Sequence, residues 1–155
     1  MTINTEQLKR ECAAFGVELT EQAAERFDIY AATLIEWNAK MNLTAITEPS
    51  AVVTRHFADS LTVLPCLSPN EGASLIDVGS GAGFPGLALK IARPDLNITL
   101  LDGTMKRITF LQEAANRMGL AVNAVHARAE DAARRPELRE QFDHATAGVF
   151  PTRNF

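Results

Sequence analysis

The sequence predicts an α/β fold in which a helical N-terminal part precedes half of a doubly wound parallel sheet. From Ser74 onward, short apolar runs alternate with longer amphipathic segments, which is the pattern of consecutive βαβ units. The apolar runs are nearly continuous, as in parallel strands that are covered on both faces. A glycine-rich turn, LIDVGSGAGFPG at Leu75 to Gly86, follows the first of them, where doubly wound folds bind nucleotides.

The expected elements after the first 72 residues alternate in type. They are a strand at 74–79, a helix at 84–93, a strand at 97–103, a helix at 105–119 and a strand at 121–130. A short charged helix and a fourth strand, at 142–147, are expected to follow. Only one strand of the second half of a doubly wound sheet is therefore present.

Helices are expected throughout the first 72 residues. Asn4 or Thr5 can cap a short helix, and Thr20 can cap a long one over 21–41. Apolar residues recur in the long helix at spacings of three and four, as one buried helix face requires. This part of the chain is therefore predicted to pack through helix faces.

A third helix is expected from about Ser50 to Leu64, ended by Pro65. Arg55 and Asp59 would then share one helix face, because residues four apart are neighbours on an α-helix. These residues alone leave two interpretations open for the segment. One is a surface ion pair with a packed histidine, and the other is a functional site.

Composition and charge are those of a folded chain with no strong attraction to polyanions. Apolar residues make up 46% and charged residues 22% of the 155 residues, and the net charge is −4. The first 72 residues carry five basic and ten acidic side chains and the remainder ten and nine, so the parts carry about −5 and +1. Binding to nucleic acid through overall charge needs a basic surface, so any RNA contact must be local.

The two cysteines, Cys12 and Cys66, are not part of a spaced Cys and His set, so we expect neither a disulfide framework nor a metal site. No apolar run approaches the roughly 18 residues of a membrane-spanning helix, and the N-terminal stretch is polar. We therefore expect a cytoplasmic protein without a membrane segment, and a monomer.

The glycine-rich turn is suited to hold a nucleoside. Gly79, Gly81 and Gly83 let the backbone turn sharply and let a ligand lie against the main chain. Pro85 is expected in the first turn of the next helix, whose free N–H groups form a positive end. Asp102 ends the following strand, where an acid accepts hydrogen bonds from ribose hydroxyls.

Two cofactor classes fit this turn. Gly81 to Gly86 reads as G-x-G-x-x-G, the dinucleotide pattern, which has little specificity alone. Asp77, however, lies two residues before Gly79, where a dinucleotide fold usually has an apolar residue and where S-adenosylmethionine enzymes place an acid near the ammonium and sulfonium groups. The turn therefore favours a methyltransferase over an NAD-dependent oxidoreductase. A plain turn in which Asp77 only caps a helix would need fewer glycines.

The glycine-rich turn and its flanking sequence carry four motifs, of which the first three are specific in combination. WN-x-x-x-NLT and RH-x-x-DS lie within Glu36 to Leu61, DVG-x-G-x-GFPG lies within Ile76 to Leu111, and ARAED lies at Ala127 to Asp131. With them, the chain from about Tyr30 to Ala147 resembles the small-subunit ribosomal RNA methyltransferase G family, formerly called glucose-inhibited division protein B. The resemblance implies a Rossmann-like S-adenosylmethionine-dependent methyltransferase fold with a helical N-terminal extension.

The resemblance also implies an activity, a partner and cofactor contacts. The activity is transfer of a methyl group from S-adenosylmethionine to N7 of one guanine in 16S rRNA, so 16S rRNA or the small ribosomal subunit is the expected partner. Family contacts with the cofactor match Gly79, Phe84, Ala129 and Glu130.

Five further residues are candidates for the neighbourhood of the RNA. The resemblance favours a role for Arg55, His56 and Asp59 near the RNA or cofactor pocket. Lys106 and Arg107 open the helix after Asp102, and cations are unfavourable at a helix N-terminus. Contact with RNA phosphate would explain their position, and a solvated surface is the other interpretation.

The similarity to the family ends after Ala147. Gly148 and VFPTRNF follow, where the family continues T-A-R-A-V-A with an arginine that contacts the cofactor. We therefore expect that the C-terminal strands are missing through truncation or a frameshift, and that an inactive fragment is the alternative to a live enzyme. The predicted organisation is a helical region at 1–72, a cofactor-binding half at 73–147 and an unrelated tail at 148–155.

Overall fold

The first part of the chain is helical in a computed structural model of the protein, which describes residues 1–147. Helix α1 spans Thr5–Ala13 and is capped by Asn4, whose side-chain oxygen accepts a hydrogen bond from the Gln7 N–H at 3.0 Å. Helix α2 spans Glu21–Met41 and is capped by Thr20. The long helix and its cap are confirmed, and of the two predicted caps for the short helix the structure uses the asparagine.

The third predicted helix is not one uniform α-helix. It consists of α3 (Pro49–Val52), a π-helical segment (Val53–Ala58), α4 (Asp59–Leu61) and α5 (Val63–Leu67). The expected end at Pro65 is also wrong, because this proline lies in the first turn of α5, where its missing N–H removes no intrahelical bond. The helical path ends instead at Ser68, whose φ is 45°.

A four-stranded parallel sheet follows, in the order β3-β2-β1-β4. Its strands and the longer helices between them are β1 (Ser74–Val78), α6 (Gly86–Ala92), β2 (Asn97–Asp102), α7 (Met105–Met118), β3 (Asn123–His126) and β4 (His144–Ala147). The predicted parallel strands and the single fourth strand are confirmed, and the fourth strand pairs with β1.

The segment between β3 and β4 differs from the prediction. Strand β3 ends at His126, and Ala129–Ala132 forms a short helix, α8. The charged helix expected after it is a series of turns over residues 133–140. Pro136 explains the difference, since it disfavours helical backbone at Arg135 and lacks the N–H that a helix interior needs.

The helices of the first part and one face of the sheet share a hydrophobic core. A single cluster of buried side chains includes Leu8, Phe27, Phe57, Leu89 and Phe110. The division at residue 72 therefore stays a prediction about sequence organisation, because packing is continuous across it. The predicted tail, 148–155, lies outside the described residues.

The other face of the sheet has a smaller core. Ile76 and Val78 of β1 pack there with Leu101, Ala132 and Leu138. This cluster fixes the chain after β3 against the carboxyl half of the sheet. Within residues 1–147, no helix is long and apolar enough to cross a membrane.

Candidate functional site

The glycine loop between β1 and α6 has a bare surface on one side. Gly79 and Gly81 have φ values of 71° and 57°, which side chains other than glycine rarely adopt. A Cβ atom built on either residue meets no atom within 4 Å, and both residues line a cavity. The loop is therefore open at these positions, and its predicted contact with a cofactor stays a prediction.

Gly83 faces the protein core instead of the cavity. A Cβ atom there would meet the Tyr30 hydroxyl and would lie 2.9 Å from Leu87 Cβ. Tyr30 is fully buried and donates a hydrogen bond from its hydroxyl to the Ala82 carbonyl oxygen. The geometry gives Gly83 a role in seating the loop on α2, and its contact with a cofactor stays a prediction.

Tyr30 is a core residue by its helical spacing, and sequence reasoning missed that it also holds the loop. We expect Tyr30→Phe to lower the free energy of unfolding by about 1–3 kcal/mol, because the Ala82 carbonyl would lose its buried partner. Chemical denaturation measures this loss. Phe27→Leu is the control for an altered core side chain of the same helix, and only Tyr30→Phe should weaken a ligand that binds the loop. Equal ligand affinity in both variants would contradict the anchoring role.

Asp77 lies beneath the loop and not on the cavity wall. Its side chain is fully buried, with Oδ2 accepting a hydrogen bond from the Gly86 N–H at 2.9 Å and Oδ1 accepting one from Thr146 Oγ1 at 3.0 Å. Burial raises the pKa of Asp77 to about 6, against the opposing effect of these two hydrogen bonds. Asp77 thus caps α6 with a buried carboxylate, and its predicted direct contact with a cofactor remains a prediction.

The prediction that α6 begins with free N–H groups is wrong. The Gly86 N–H is bound to Asp77, and the Leu87 and Ala88 N–H groups both donate to the Gly83 carbonyl oxygen. Pro85 also stands at the N-cap and not in the first turn. The N-terminal end of α6 is therefore capped inside the protein by the Asp77 carboxylate of β1.

Asp102 holds the other side of the loop. Its carboxylate is 4% exposed, with Oδ2 accepting a hydrogen bond from the Gly81 N–H and Oδ1 accepting one from the Thr104 N–H, both at 2.9 Å. Arg107 Nη1 lies 3.6 Å from Oδ1. A predicted ribose contact at Asp102 would use the remaining lone pairs of this carboxylate.

Two further predicted cofactor residues, Ala129 and Glu130, are the first residues of α8. The Ala127 N–H donates to the Asp102 carbonyl oxygen at 3.0 Å, which brings the end of β2 beside the residues that lead into α8. Ala129 is half-buried and Glu130 is exposed. Asp102, Ala129 and Glu130 thus lie at the carboxyl edge of the sheet, outside the cavity described next.

A cavity of about 450 Å³ separates the glycine loop from the π-helical segment and α4. Its size is within the range of small-molecule sites. Residues of three parts of the fold line it: Thr44, Arg55, His56, Asp59 and Ser60 on the helical side, Gly79, Ser80, Gly81 and Phe84 in the loop, and Ala147 at the end of β4. The structure therefore brings the RH-x-x-DS motif and the glycine loop to opposite walls of one site.

His56 and Phe84 form an aromatic pair in this cavity. Their ring centroids are 4.2 Å apart and the rings are inclined by 5°. Phe84 in turn stacks on Tyr30 at 5.5 Å, and His56 Nε2 lies 2.7 Å from Thr44 Oγ1. Burial lowers the pKa of His56, an effect that Asp59 opposes. The imidazole is therefore neutral near pH 7. It is held in place by the Phe84 ring and by Thr44 at Nε2.

Arg55 and Asp59 do not form the surface ion pair that was one of the two interpretations of this segment. Both side chains are exposed, and the ion pairs found within residues 1–147 do not include one between them. Arg55 lies in the π-helical segment, where hydrogen bonds run from residue i to i+5 and residues four apart no longer stack as in an α-helix. Such segments occur frequently at functional sites.

Lys106 and Arg107 are exposed in the first turn of α7, close to Asp102 and not on the cavity wall. The described residues contain no group of three or more His, Cys, Asp and Glu side chains that could hold a metal ion.

Comparison with known proteins decides the family. The family model "rRNA small subunit methyltransferase G" (GidB) matches residues 23–152. This chain belongs to the GidB family. The ribosomal RNA small subunit methyltransferase G of Clostridium perfringens is 47% identical over 141 residues, which are 90% of this chain and 59% of the relative. That of Lachnoclostridium phytofermentans is 50% identical over 131 residues, which are 84% of this chain and 54% of the relative.

A solved structure supports the fold. A protein-L-isoaspartate O-methyltransferase superposes with a TM-score of 0.61 at 12% identity, covering 93% of this chain and 47% of the other. The α/β methyltransferase fold predicted from the sequence is therefore confirmed. The chain spans between half and two thirds of the length of the two GidB relatives.

Proposed function

We propose that this chain binds S-adenosylmethionine and serves the transfer of its methyl group to N7 of a guanine in 16S rRNA. The observation that carries the proposal is the buried Asp77 carboxylate at the beginning of α6. With its pKa near 6, this group is mostly ionised at neutral pH. A negative charge thus lies under a loop that is bare toward the cavity at Gly79 and Gly81.

This charge argues against a dinucleotide. A dinucleotide fold places the pyrophosphate on the free N–H groups at the start of the helix after the glycine turn. Here those N–H groups are bound to Asp77 and to the Gly83 carbonyl oxygen, and a pyrophosphate would face a carboxylate. A ligand with a cationic sulfonium and ammonium is instead attracted to the same place.

The residues around the loop fit the remaining parts of S-adenosylmethionine. The bare surface at Gly79 and Gly81 would accept the methionine portion. Asp102 would accept hydrogen bonds from the ribose, while Ala129 and Glu130 at the same sheet edge would contact the base. When bound, the cofactor supplies an electrophilic methyl group.

The transfer needs alignment more than acid–base chemistry. N7 of guanine has a lone pair and no proton, so its attack requires close approach in the right orientation but no general base. The neutral His56 and the fixed Phe84 ring, 4.2 Å apart, are suited to orient a planar base. The chain's own contribution is therefore to hold the cofactor at the glycine loop and the guanine in the adjoining cavity.

RNA contact is assigned to local positive charge. The net charge of −4 does not favour a polyanion, but Lys106 and Arg107 are exposed beside the proposed cofactor site. Arg55 is exposed on the rim of the cavity. We propose that these three side chains meet phosphates of 16S rRNA in the small ribosomal subunit, and that the chain acts as a monomer in the cytoplasm.

Calorimetric titration of the purified chain with S-adenosylmethionine and separately with NAD⁺ tests the cofactor. Binding of S-adenosylmethionine at micromolar concentration, with no heat from NAD⁺, is expected. Incubation with radiolabelled cofactor and unmethylated small ribosomal subunits then tests the transfer. Binding of NAD⁺ alone would overturn the proposal. Cofactor binding without label in 16S rRNA would limit the function of this chain, which spans 59% of one relative, to cofactor binding.

A further inference from the structure

The cavity wall opposite the glycine loop carries a carboxylate without a partner. Asp59 is exposed and lines the cavity. Its side chain accepts no hydrogen bond from the part of the chain that the structure describes, and Arg55, four residues earlier, forms no ion pair with it. The carboxylate oxygens are therefore available to a ligand. The proposed methyl transfer, which needs no general base, does not use them.

A flat aromatic surface lies next to this carboxylate in the sequence and in the cavity. His56 is stacked on Phe84 with an inclination of 5° and is held by Thr44 at 2.7 Å. Thr44 Oγ1 also accepts a hydrogen bond from the Ile46 N–H at 3.0 Å, so the contact that fixes the imidazole is itself fixed. The pair forms a rigid surface on which a planar base can lie.

We propose that Asp59 selects guanine by accepting hydrogen bonds from its N1–H and 2-amino groups while the base lies against the His56 and Phe84 pair. Guanine alone among the four RNA bases presents two adjacent donors on its Watson–Crick edge. A carboxylate has two acceptor oxygens and no donor, so it matches guanine and opposes adenine, which presents one donor and one acceptor. Enzymes that act on an extruded base read this edge by hydrogen bonds in the same manner.

The orientation that this contact imposes agrees with methyl transfer at N7. N7 lies on the opposite side of the purine from N1 and the 2-amino group. With the Watson–Crick edge on Asp59 of α4, N7 is turned away from the helical wall, and the wall across the cavity is the loop at Gly79 and Gly81. The inference rests on the proposed function, since it assigns the residue that specifies the base for that reaction.

Nucleotide binding to the full chain saturated with S-adenosylhomocysteine tests the inference. Affinities for GMP and AMP are measured by saturation-transfer NMR in the wild type and in Asp59→Asn. A bidentate contact discriminates between bases by roughly tenfold or more, so the wild type should prefer GMP by at least that factor. In Asp59→Asn the preference should be lost or reversed toward AMP, because an amide offers one acceptor and one donor, as adenine requires.

Glu25→Gln is the matched control, because Glu25 is an exposed acid on α2 and does not line the cavity. Its GMP preference should equal that of the wild type. A structural effect of Asp59→Asn would weaken GMP and AMP equally, and such a result overturns the inference, as does a wild type without base preference. If S-adenosylhomocysteine itself fails to bind, the proposed function fails and this inference with it. If it binds and the base preference is absent, only this inference fails.

Discussion

Gly79→Ala is expected to lower the affinity for S-adenosylmethionine at least tenfold. The added methyl group would project into the open space over the loop, where no protein atom lies within 4 Å and where the methionine portion is proposed to bind. Each tenfold loss corresponds to about 1.4 kcal/mol of binding free energy. Isothermal titration calorimetry on the folded variant measures the change.

Gly72→Ala separates this effect from backbone strain. Gly72 has a φ of 72°, nearly the same as the 71° of Gly79, and its Cβ would also meet nothing within 4 Å. It precedes β1 and so lies at the opposite end of the sheet from the loop. Both variants should lose about 1–2 kcal/mol of stability, because alanine is strained in the left-handed region. A cofactor affinity that falls equally in both would remove Gly79 from the site.

Asp77 is expected to make the protein less stable as the pH rises from about 4 to about 7. Its pKa is about 6 in the folded chain and 3.8 in the reference state, so between these values the folded state binds more protons than the unfolded state. Stability therefore falls with rising pH through this window, by about 3 kcal/mol for a change of this size. The largest cause is burial of the charged carboxylate, which the hydrogen bonds from Gly86 and Thr146 offset only in part.

Asp77→Asn isolates this contribution. The amide keeps an acceptor for the Gly86 N–H and carries no charge, so urea denaturation at successive pH values should show a flatter profile between pH 4 and 7. Asp95→Asn is the control, because Arg93 holds the pKa of Asp95 below its usual range. From about pH 5 to pH 7 Asp95 is ionised in both the folded and the unfolded state, so its removal should shift that part of the profile without changing its slope. If wild type and Asp77→Asn have parallel profiles, the buried carboxylate is not the cause.

Local sequence patterns predicted the elements well where one physical signal dominates. Thr20 and the regular apolar spacing after it correctly bounded α2, and the near-continuous apolar runs gave the parallel strands. The prediction failed at Pro65, because a proline ends a helix interior but is harmless in the first turn of a new helix. It failed again beyond α8, where Pro136 prevents the helix that the charges suggested.

The candidate site was predicted in part. Gly79 and Gly81 were placed correctly on an open surface, because left-handed backbone and bare space are local properties of glycine. Gly83 and Asp77, taken from the same motif, turned out to face the protein interior. Motif spacing cannot distinguish the two sides of a loop, since the side on which each atom lies depends on what packs beneath.

The sequence by itself determined the family, the order of strands and helices along the chain, and the loop at Gly79 and Gly81. Motifs and periodicity depend only on the types and spacing of residues that are close together in the chain. Only the tertiary structure decided that a buried Asp77 fills the start of α6 through contacts with Gly86 and Thr146, the latter 69 residues away. It also decided that His56 of the π-helical segment and Asp59 of α4 line the same cavity as the loop. Both outcomes arise from packing between distant segments, which sets burial, charge environment and helix winding together.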